Sequence, residues 1–203
     1  MLSALILAGG LGSRMGTDKG LAQLGGAPLV RHIGDVLSGV ADEVVVSVAH
    51  GKAGLYSEIL GDLFRYVEDK DEGVGPLEGL VQGLRFARGD YVIVSPCDTP
   101  FLRKAVCESV IRSAMGRDGS VPMTGRTYLE PLHAAYRRGR CAEVFGTALS
   151  KGGRAPQEAF RGLDLVFLRE EEVRGLDPDL LSFWNINSPE DLRKAESQLA
   201  RLR

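Results

Sequence analysis

The stretch Gly9-Gly10-Leu11-Gly12-Ser13-Arg14-Met15-Gly16-Thr17-Asp18-Lys19-Gly20 has the residue types needed to hold a polyphosphate. Glycine lets backbone N–H groups approach phosphate oxygens and adopts the positive φ angles of anion-binding nests. Arg14 and Lys19 add fixed positive charge, and Arg14 can grip phosphate through a bidentate fork. Two familiar phosphate loops do not match. A dinucleotide fingerprint needs a small residue where Met15 stands, together with an acidic residue about twenty positions on. A Walker A loop needs Gly-Lys-Ser/Thr, whereas Lys19 lies between Asp18 and Gly20. A plain glycine-rich turn between strand and helix would leave the two cations unexplained.

Three further places carry candidate chemistry. Asp98 follows the apolar run Tyr91-Val92-Ile93-Val94-Ser95 and precedes Pro100, so a carboxylate stands at the end of a strand. Ligands of open α/β sheets collect at that edge, and Mg²⁺ is commonly held there by one or two carboxylates. The competing reading makes Asp98 the cap of a helix starting near Phe101. Asn185 and Asn187 are two residues apart and share one side of an extended segment. Arg154, in Lys151-Gly152-Gly153-Arg154-Ala155-Pro156, reads equally as a contact to an acceptor phosphate or as part of a solvent loop. Cys97 has no neighbouring base and reads as a small buried residue. His32, His50 and His133 lack ligand spacing and read as ordinary helix, loop and strand residues. Glu170-Glu171-Glu172 reads as a solvated face.

These residues need a frame. Leu2 to Ala8 is an apolar run that suits a central parallel strand, and it is too short to span a membrane. A helix is expected after Pro28, on Leu29, Val30, Ile33, Val36 and Leu37, ending at Gly39. Strands follow at 43–48, 65–68 and 91–95, with helices around Leu77 to Leu84 and from about Leu102 to Met115. Beyond Gly116, strands are expected at 129–136 and 163–168 around a helix near 140–150. A last helix is capped by Ser188 and carries an apolar stripe of Leu192, Ala195, Leu199 and Leu202. Strands alternating with helices predict an α/β fold with a mostly parallel sheet.

The 203 residues carry a formal net charge of −2, so no nucleic-acid footprint or membrane-binding surface is expected. Three widely spaced cysteines and no targeting segment suit a reducing, cytoplasmic setting. The chain reads as one domain over residues 1–203.

The loop also fits the pattern G-G-x-x-x-R-M-G-x-D-K at every defined position, and there it closely resembles the molybdenum cofactor guanylyltransferases, the MobA-type nucleotidyltransferases. The resemblance continues in order through Val67-Glu68-Asp69, Gly73-Val74-Gly75-Pro76-Leu77-Glu78-Gly79, Ser95-Pro96-Cys97-Asp98-Thr99-Pro100-Phe101, Glu130-Pro131-Leu132-His133-Ala134 and Trp184-Asn185-Ile186-Asn187. It implies a three-layer α/β/α, Rossmann-like nucleotidyltransferase fold with a mostly parallel, mixed central sheet. Residues up to about 115 would bind the nucleotide, and about 116–203 would form the acceptor side. It also implies that Leu7, Ala8, Gly9, Gly10, Gly12, Ser13, Arg14, Lys19, Asp69, Gly75 and Asp98 bind the nucleotide. Arg14, Lys19 and Asp98 would carry catalysis, with Mg²⁺ on Asp98, while Asn185, Asn187 and Arg154 would meet the acceptor.

The implied reaction transfers GMP from GTP to the terminal phosphate of molybdopterin, and the implied partners include transient contacts with other molybdenum cofactor biosynthesis proteins. One position departs from the family. Ser47 stands where guanylyl enzymes commonly carry asparagine, and a hydroxyl cannot reproduce an amide's paired donor and acceptor. Cytidylyl transfer, another small phosphorylated acceptor and a non-catalytic nucleotide-binding module remain the alternatives.

Overall fold

The computed structural model of the protein describes residues 1–9, 18–70, 73–125 and 127–202. The first strand, β1 (Leu2–Leu7), is followed by a two-residue hairpin, β2 (Gln23–Leu24) and β3 (Ala27–Pro28). Then come α1 (Leu29–Ser38), β4 (Glu43–Val48), α2 (Ala53–Leu60), β5 (Arg65–Glu68), α3 (Pro76–Phe86), β6 (Tyr91–Pro96) and α4 (Lys104–Ala114). The second half holds β7 (Gly119–Thr124), β8 (Tyr128–Leu129), β9 (Ala135–Arg137), α5 (Arg138–Ser150), β10 (Leu165–Leu168), α6 (Glu170–Arg174) and α7 (Pro189–Leu202).

The main sheet runs β10-β7-β9-β6-β1-β4-β5, with β8 paired to β7. β1 pairs in parallel with β4 and β6, and β4 with β5, whereas β9 is antiparallel to β6 and β7. The sheet is therefore mixed, with a parallel half that contains the first strand.

Alternation along β1 sets the layers. Ala4 and Ile6 join α1, α2 and α4 residues in one buried cluster, while Leu5 and Leu7 join α3 and α5 residues in another. Side chains two apart share a face of a strand, so one strand feeds two cores. This is the three-layer α/β/α arrangement expected above. Close packing shows at Gly83, where an added Cβ would lie 2.3 Å from Leu5 Cδ2. A third cluster forms where Ala195 of α7 packs with Leu24, Leu29, Phe101 and Ile186. Leu202, placed on the apolar stripe by its spacing, is 57% exposed because it lies beyond that cluster.

One sequence expectation needs correction. The strand expected at 129–136 is split into β8 and β9 by a turn through Pro131 and Leu132, which turns the chain between β8's pairing with β7 and β9's pairing with β6 and β7. Strand β7 and helix α2 carried no clear signal. The sequence of β7, Gly-Ser-Val-Pro-Met-Thr, includes both glycine and proline, which are weak strand formers. The 170–172 run is the first turn of α6, where Glu170 binds Arg174 and accepts from the Gly125 backbone N–H.

Candidate active site

Because β1, β4, β5 and β6 are parallel, their carboxyl ends meet at one edge of the sheet. That edge brings together Gly9, Ser47, Asp69 and Asp98, which are far apart in sequence. Ala8 N–H donates to the Ser47 carbonyl (2.7 Å), Asp69 N–H to Val48 (2.9 Å) and Cys97 N–H to Leu7 (3.0 Å). The strand ends are thus tied to one another beyond their regular ladders.

Asp98 lies at the centre. Its Oδ2 accepts from Lys19 Nζ, and the same ammonium donates to Asn187 Oδ1 at 2.7 Å. The Asp98 carbonyl accepts from Ile186 N–H at 2.9 Å, which anchors the 185–187 segment beside it. Asp98 Oδ1 is buried and has no hydrogen-bond partner among the described residues. An orphaned buried carboxylate oxygen costs free energy unless a cation or donor reaches it. That oxygen fits a hard divalent cation held mainly by its substrate's oxygens, and no cluster of three or more His, Cys, Asp or Glu offers an alternative metal cage among the described residues. The capping reading fails, because Arg103 precedes α4 and makes no side-chain cap there.

Lys19 is itself positioned. Asp18, just before it, accepts from Gly20 N–H at 3.3 Å and from the hydroxyl of fully buried Tyr56 on α2. Burial holds the Tyr56 phenol well above its usual range, so it remains a donor. An added Cβ at Gly20 would lie 2.5 Å from that hydroxyl. Only a residue without a side chain lets the Asp18–Lys19 turn sit this close to α2.

Asp69 forms a second polar point on the edge. Ser47, fully buried, donates its hydroxyl to Asp69 Oδ1 at 3.1 Å. An added Cβ at Gly9 would lie 2.3 Å from Asp69 Oδ2, and one at Gly79 would lie 3.2 Å from Oδ1. Burial, with a smaller contribution from nearby Glu78, pushes the Asp69 carboxyl up to about 6 against the hydrogen bond from Ser47. The departure at Ser47 therefore has a visible partner: the hydroxyl orients Asp69.

The residues expected on the acceptor side separate. Asn187 binds Lys19, and Asn185 lines a cavity of about 550 Å³ that Asp98 also lines. Arg154 has an exposed side chain, and its carbonyl packs over the turn before α3, accepting from Leu77 N–H at 3.2 Å. The close approach at Gly75 (φ +102°) is to that Arg154 backbone. Gly10, Gly12, Ser13 and Arg14 lie outside the described residues. Cys97 is buried with its thiol pushed upward, as are Cys107 and Cys141, both pushed up to about 12, which fits packing and not nucleophilic chemistry.

Sequence reading missed His133. It occupies the turn between β8 and β9, is 6% exposed, and packs in a tilted arrangement against Phe183, ring centroids 4.9 Å apart. Its Nε2 lies 3.3 Å from Thr99 Oγ1, beside Asp98. A lone histidine without spacing to other ligands gives no sequence signal for such a contact.

The arrangement of a carboxylate with a bare oxygen, a lysine on its other oxygen and a parallel sheet edge is that of a nucleotidyltransferase. Residues 4–168 match the MobA-like NTP transferase domain, and the chain belongs to that family. It is 33% identical over 201 residues to a molybdenum cofactor guanylyltransferase of Desulfosudis oleivorans, covering 98% of this chain and 96% of the relative. It is 37% identical over 199 residues to a probable molybdenum cofactor guanylyltransferase of Methanothermobacter thermautotrophicus, covering 94% and 97%. A solved structure, the molybdopterin-guanine dinucleotide biosynthesis protein A from Archaeoglobus fulgidus, superposes with a TM-score of 0.80 at 28% identity, covering 98% and 99%.

Proposed function

We propose that this chain transfers GMP from GTP to the terminal phosphate of molybdopterin. The convergence of Lys19 and Asn187 on Asp98, with one Asp98 oxygen left bare, is the observation that carries this reading. The names of the full-length relatives supply the substrates. An oxygen of the acceptor phosphate attacks the α-phosphorus of GTP, the α–β bridging P–O bond breaks, and pyrophosphate leaves with the electron pair. The acceptor is already an anion, so no strong general base is required, and catalysis rests on alignment and charge neutralisation.

Asp98 would hold Mg²⁺ through Oδ1, and the ion would supply Lewis-acid charge between the phosphates. Lys19 then stabilises charge on the leaving group, together with Arg14 and the backbone N–H groups of the glycine loop. Asn185 and Asn187 position the acceptor, and an Arg154 contact to it requires that side chain to turn inward. The chain acts as one unit, its first 115 residues or so holding the nucleotide and the remainder the acceptor. The three unpaired, buried cysteines suit a cytoplasmic setting. No described helix is long and apolar enough to cross a membrane.

The test is pyrophosphate release with each nucleoside triphosphate, with and without Mg²⁺, using molybdopterin or a sugar phosphate as acceptor. Release with GTP, Mg²⁺ and molybdopterin is expected. Preference for CTP or for a sugar phosphate would reassign the substrate, and no release under any combination would leave a binding module.

Asp69 has the geometry to read guanine, because a carboxylate accepts from the adjacent N1–H and 2-amino groups. This gives a pH prediction. The folded state holds the Asp69 proton up to about pH 6, whereas the unfolded chain releases it near 3.8. Between those values the native state binds more protons, so this group's contribution to stability is complete below the lower value and is lost as pH rises through the upper one. GTP affinity should run the opposite way, rising with pH through about 6 as the carboxylate ionises. Equilibrium binding across pH 4.5–8 for wild type and Asp69→Asn tests this. A wild-type profile flat through that range would remove Asp69 from base recognition.

A further inference from the structure

The cavity that Asp98 lines is also lined by Glu130, which no step above employs. Glu130 Oε1 accepts from Thr124 Oγ1 at 2.6 Å, which fixes the carboxylate. Oε2 accepts no hydrogen bond from any described residue. Behind it, His133 Nδ1 lies 3.6 Å away, buried and without a partner. Thr99 Oγ1 lies 3.3 Å from both the Pro96 carbonyl and His133 Nε2, so Thr99 engages the far side of the ring. The 3.6 Å separation of Nδ1 and Oε2 is too long for a good hydrogen bond, which leaves Oε2 able to accept from a ligand in the cavity it lines.

The rest of the lining narrows the occupant. Its charged members are Asp98 and Glu130, and none of the described lining residues is a lysine or arginine. A phosphate group would be repelled from Glu130, so the part of the ligand beside it carries N–H donors. The remaining walls mix neutral polar residues such as Gln157 and Asn185 with apolar ones such as Pro131 and Pro156, and Tyr128 is 67% exposed, so its ring can meet a flat heterocycle. A fixed carboxylate in such a slot matches two adjacent N–H donors on one edge of a planar ring.

The geometry points to Glu130 as the residue that reads the 2-amino-4-oxopyrimidine edge of a pterin acceptor, through its N3–H and 2-amino groups. This deepens, and rests on, the acceptor reading proposed above. The acceptor's phosphate then lies beside Asp98 in the same cavity and its ring beside Glu130.

The test compares 6-hydroxymethylpterin with 6-hydroxymethyllumazine, which carries a carbonyl in place of the 2-amino group. Binding of each is measured fluorometrically to the full-length protein. Wild type should prefer the pterin by about 10- to 100-fold, the value of one or two hydrogen bonds to a charged group. Glu130→Gln keeps a carbonyl oxygen for Thr124 but presents an amide to the cavity, and should bring the preference close to unity. The KM for GTP should stay within about twofold, while the KM for molybdopterin rises about tenfold or more. Glu130→Asp, which withdraws the carboxylate without neutralising it, should retain part of the preference.

A purely structural Glu130 would lower stability without moving the pterin-to-lumazine ratio. An unchanged ratio in Glu130→Gln, or no ratio or no pterin binding in wild type, overturns the proposal even if molybdopterin is guanylylated normally. Selective pterin binding lost in Glu130→Gln upholds it even if guanylyl transfer fails, and that result would require only the donor side to be revised.

Discussion

Asp98→Ala is expected to lower the rate of Mg²⁺-dependent pyrophosphate release by about a thousandfold or more while leaving the protein folded. A cation that neutralises charge between reacting phosphates supplies several kcal/mol of transition-state stabilisation, and each ~1.4 kcal/mol is a factor of ten. The variant removes the oxygen proposed above to hold that cation. It should not unfold the chain, because the anchoring bond from Ile186 N–H goes to the backbone carbonyl of residue 98. Removing the unpartnered oxygen relieves a desolvation cost while losing the Lys19 pair costs stability, so the two effects oppose and the melting temperature should shift by only a few degrees, about 5 °C at most. Asp98→Asn separates charge from shape, since an amide oxygen can still accept from Lys19. It should lose nearly as much activity as the alanine. Circular dichroism and thermal melting check the fold, and turnover near the wild-type rate would remove Asp98 from the metal site.

Arg103→Met is expected to cost about 2–3 kcal/mol of stability. Asp177 is fully buried, its Oδ1 lies 3.0 Å from Arg103 Nε, and its Oδ2 accepts from Ser182 N–H at 2.7 Å. The arginine's approach is angled, so Oδ1 has a charge partner but no well-aligned hydrogen bond. Removing the guanidinium strands a carboxylate in a dry site, a loss that in fully buried pairs reaches about 3–5 kcal/mol. Arg103 is 39% exposed, so water can partly replace it, and the expected cost falls below that range. For a chain of this length the melting temperature should drop by about 5–10 °C. Adding Asp177→Asn to Arg103→Met should recover part of the loss, because the stranded charge disappears. A melting temperature unchanged by Arg103→Met would show that the pair contributes nothing.

The parallel half of this fold was readable because its signals are local and repeated. The runs at β1, β4 and β6 are largely apolar over consecutive residues, and the predicted bounds for β4 and β5 match the observed ones. Their alternation with helices places Asp98 and Asp69 at strand ends, since a parallel sheet must put those ends together. The antiparallel side was harder to read. β8 and β9 have two and three residues, and long-range pairing, not propensity, makes them strands. Partner choice was hidden throughout: nothing in the sequence indicates that Ser47 holds Asp69, that Tyr56 pins Asp18, or that Glu130 and His133 form one side of a cavity. Those contacts depend on side chains from different elements meeting, and sequence spacing carries no information about such meetings.

Lys19 has a consequence for synthesis. It joins Asp98, 79 residues later, and Asn187, 168 residues later, so the active centre includes a contact that spans most of the polypeptide. A nascent chain that has not yet reached residue 187 can form the β1–β4 and β4–β5 pairings but cannot complete the grip on that ammonium. The candidate site is thus completed only after residue 187 has been made. A premature stop after β10 would therefore yield a chain that retains most of its sheet and lacks its finished centre.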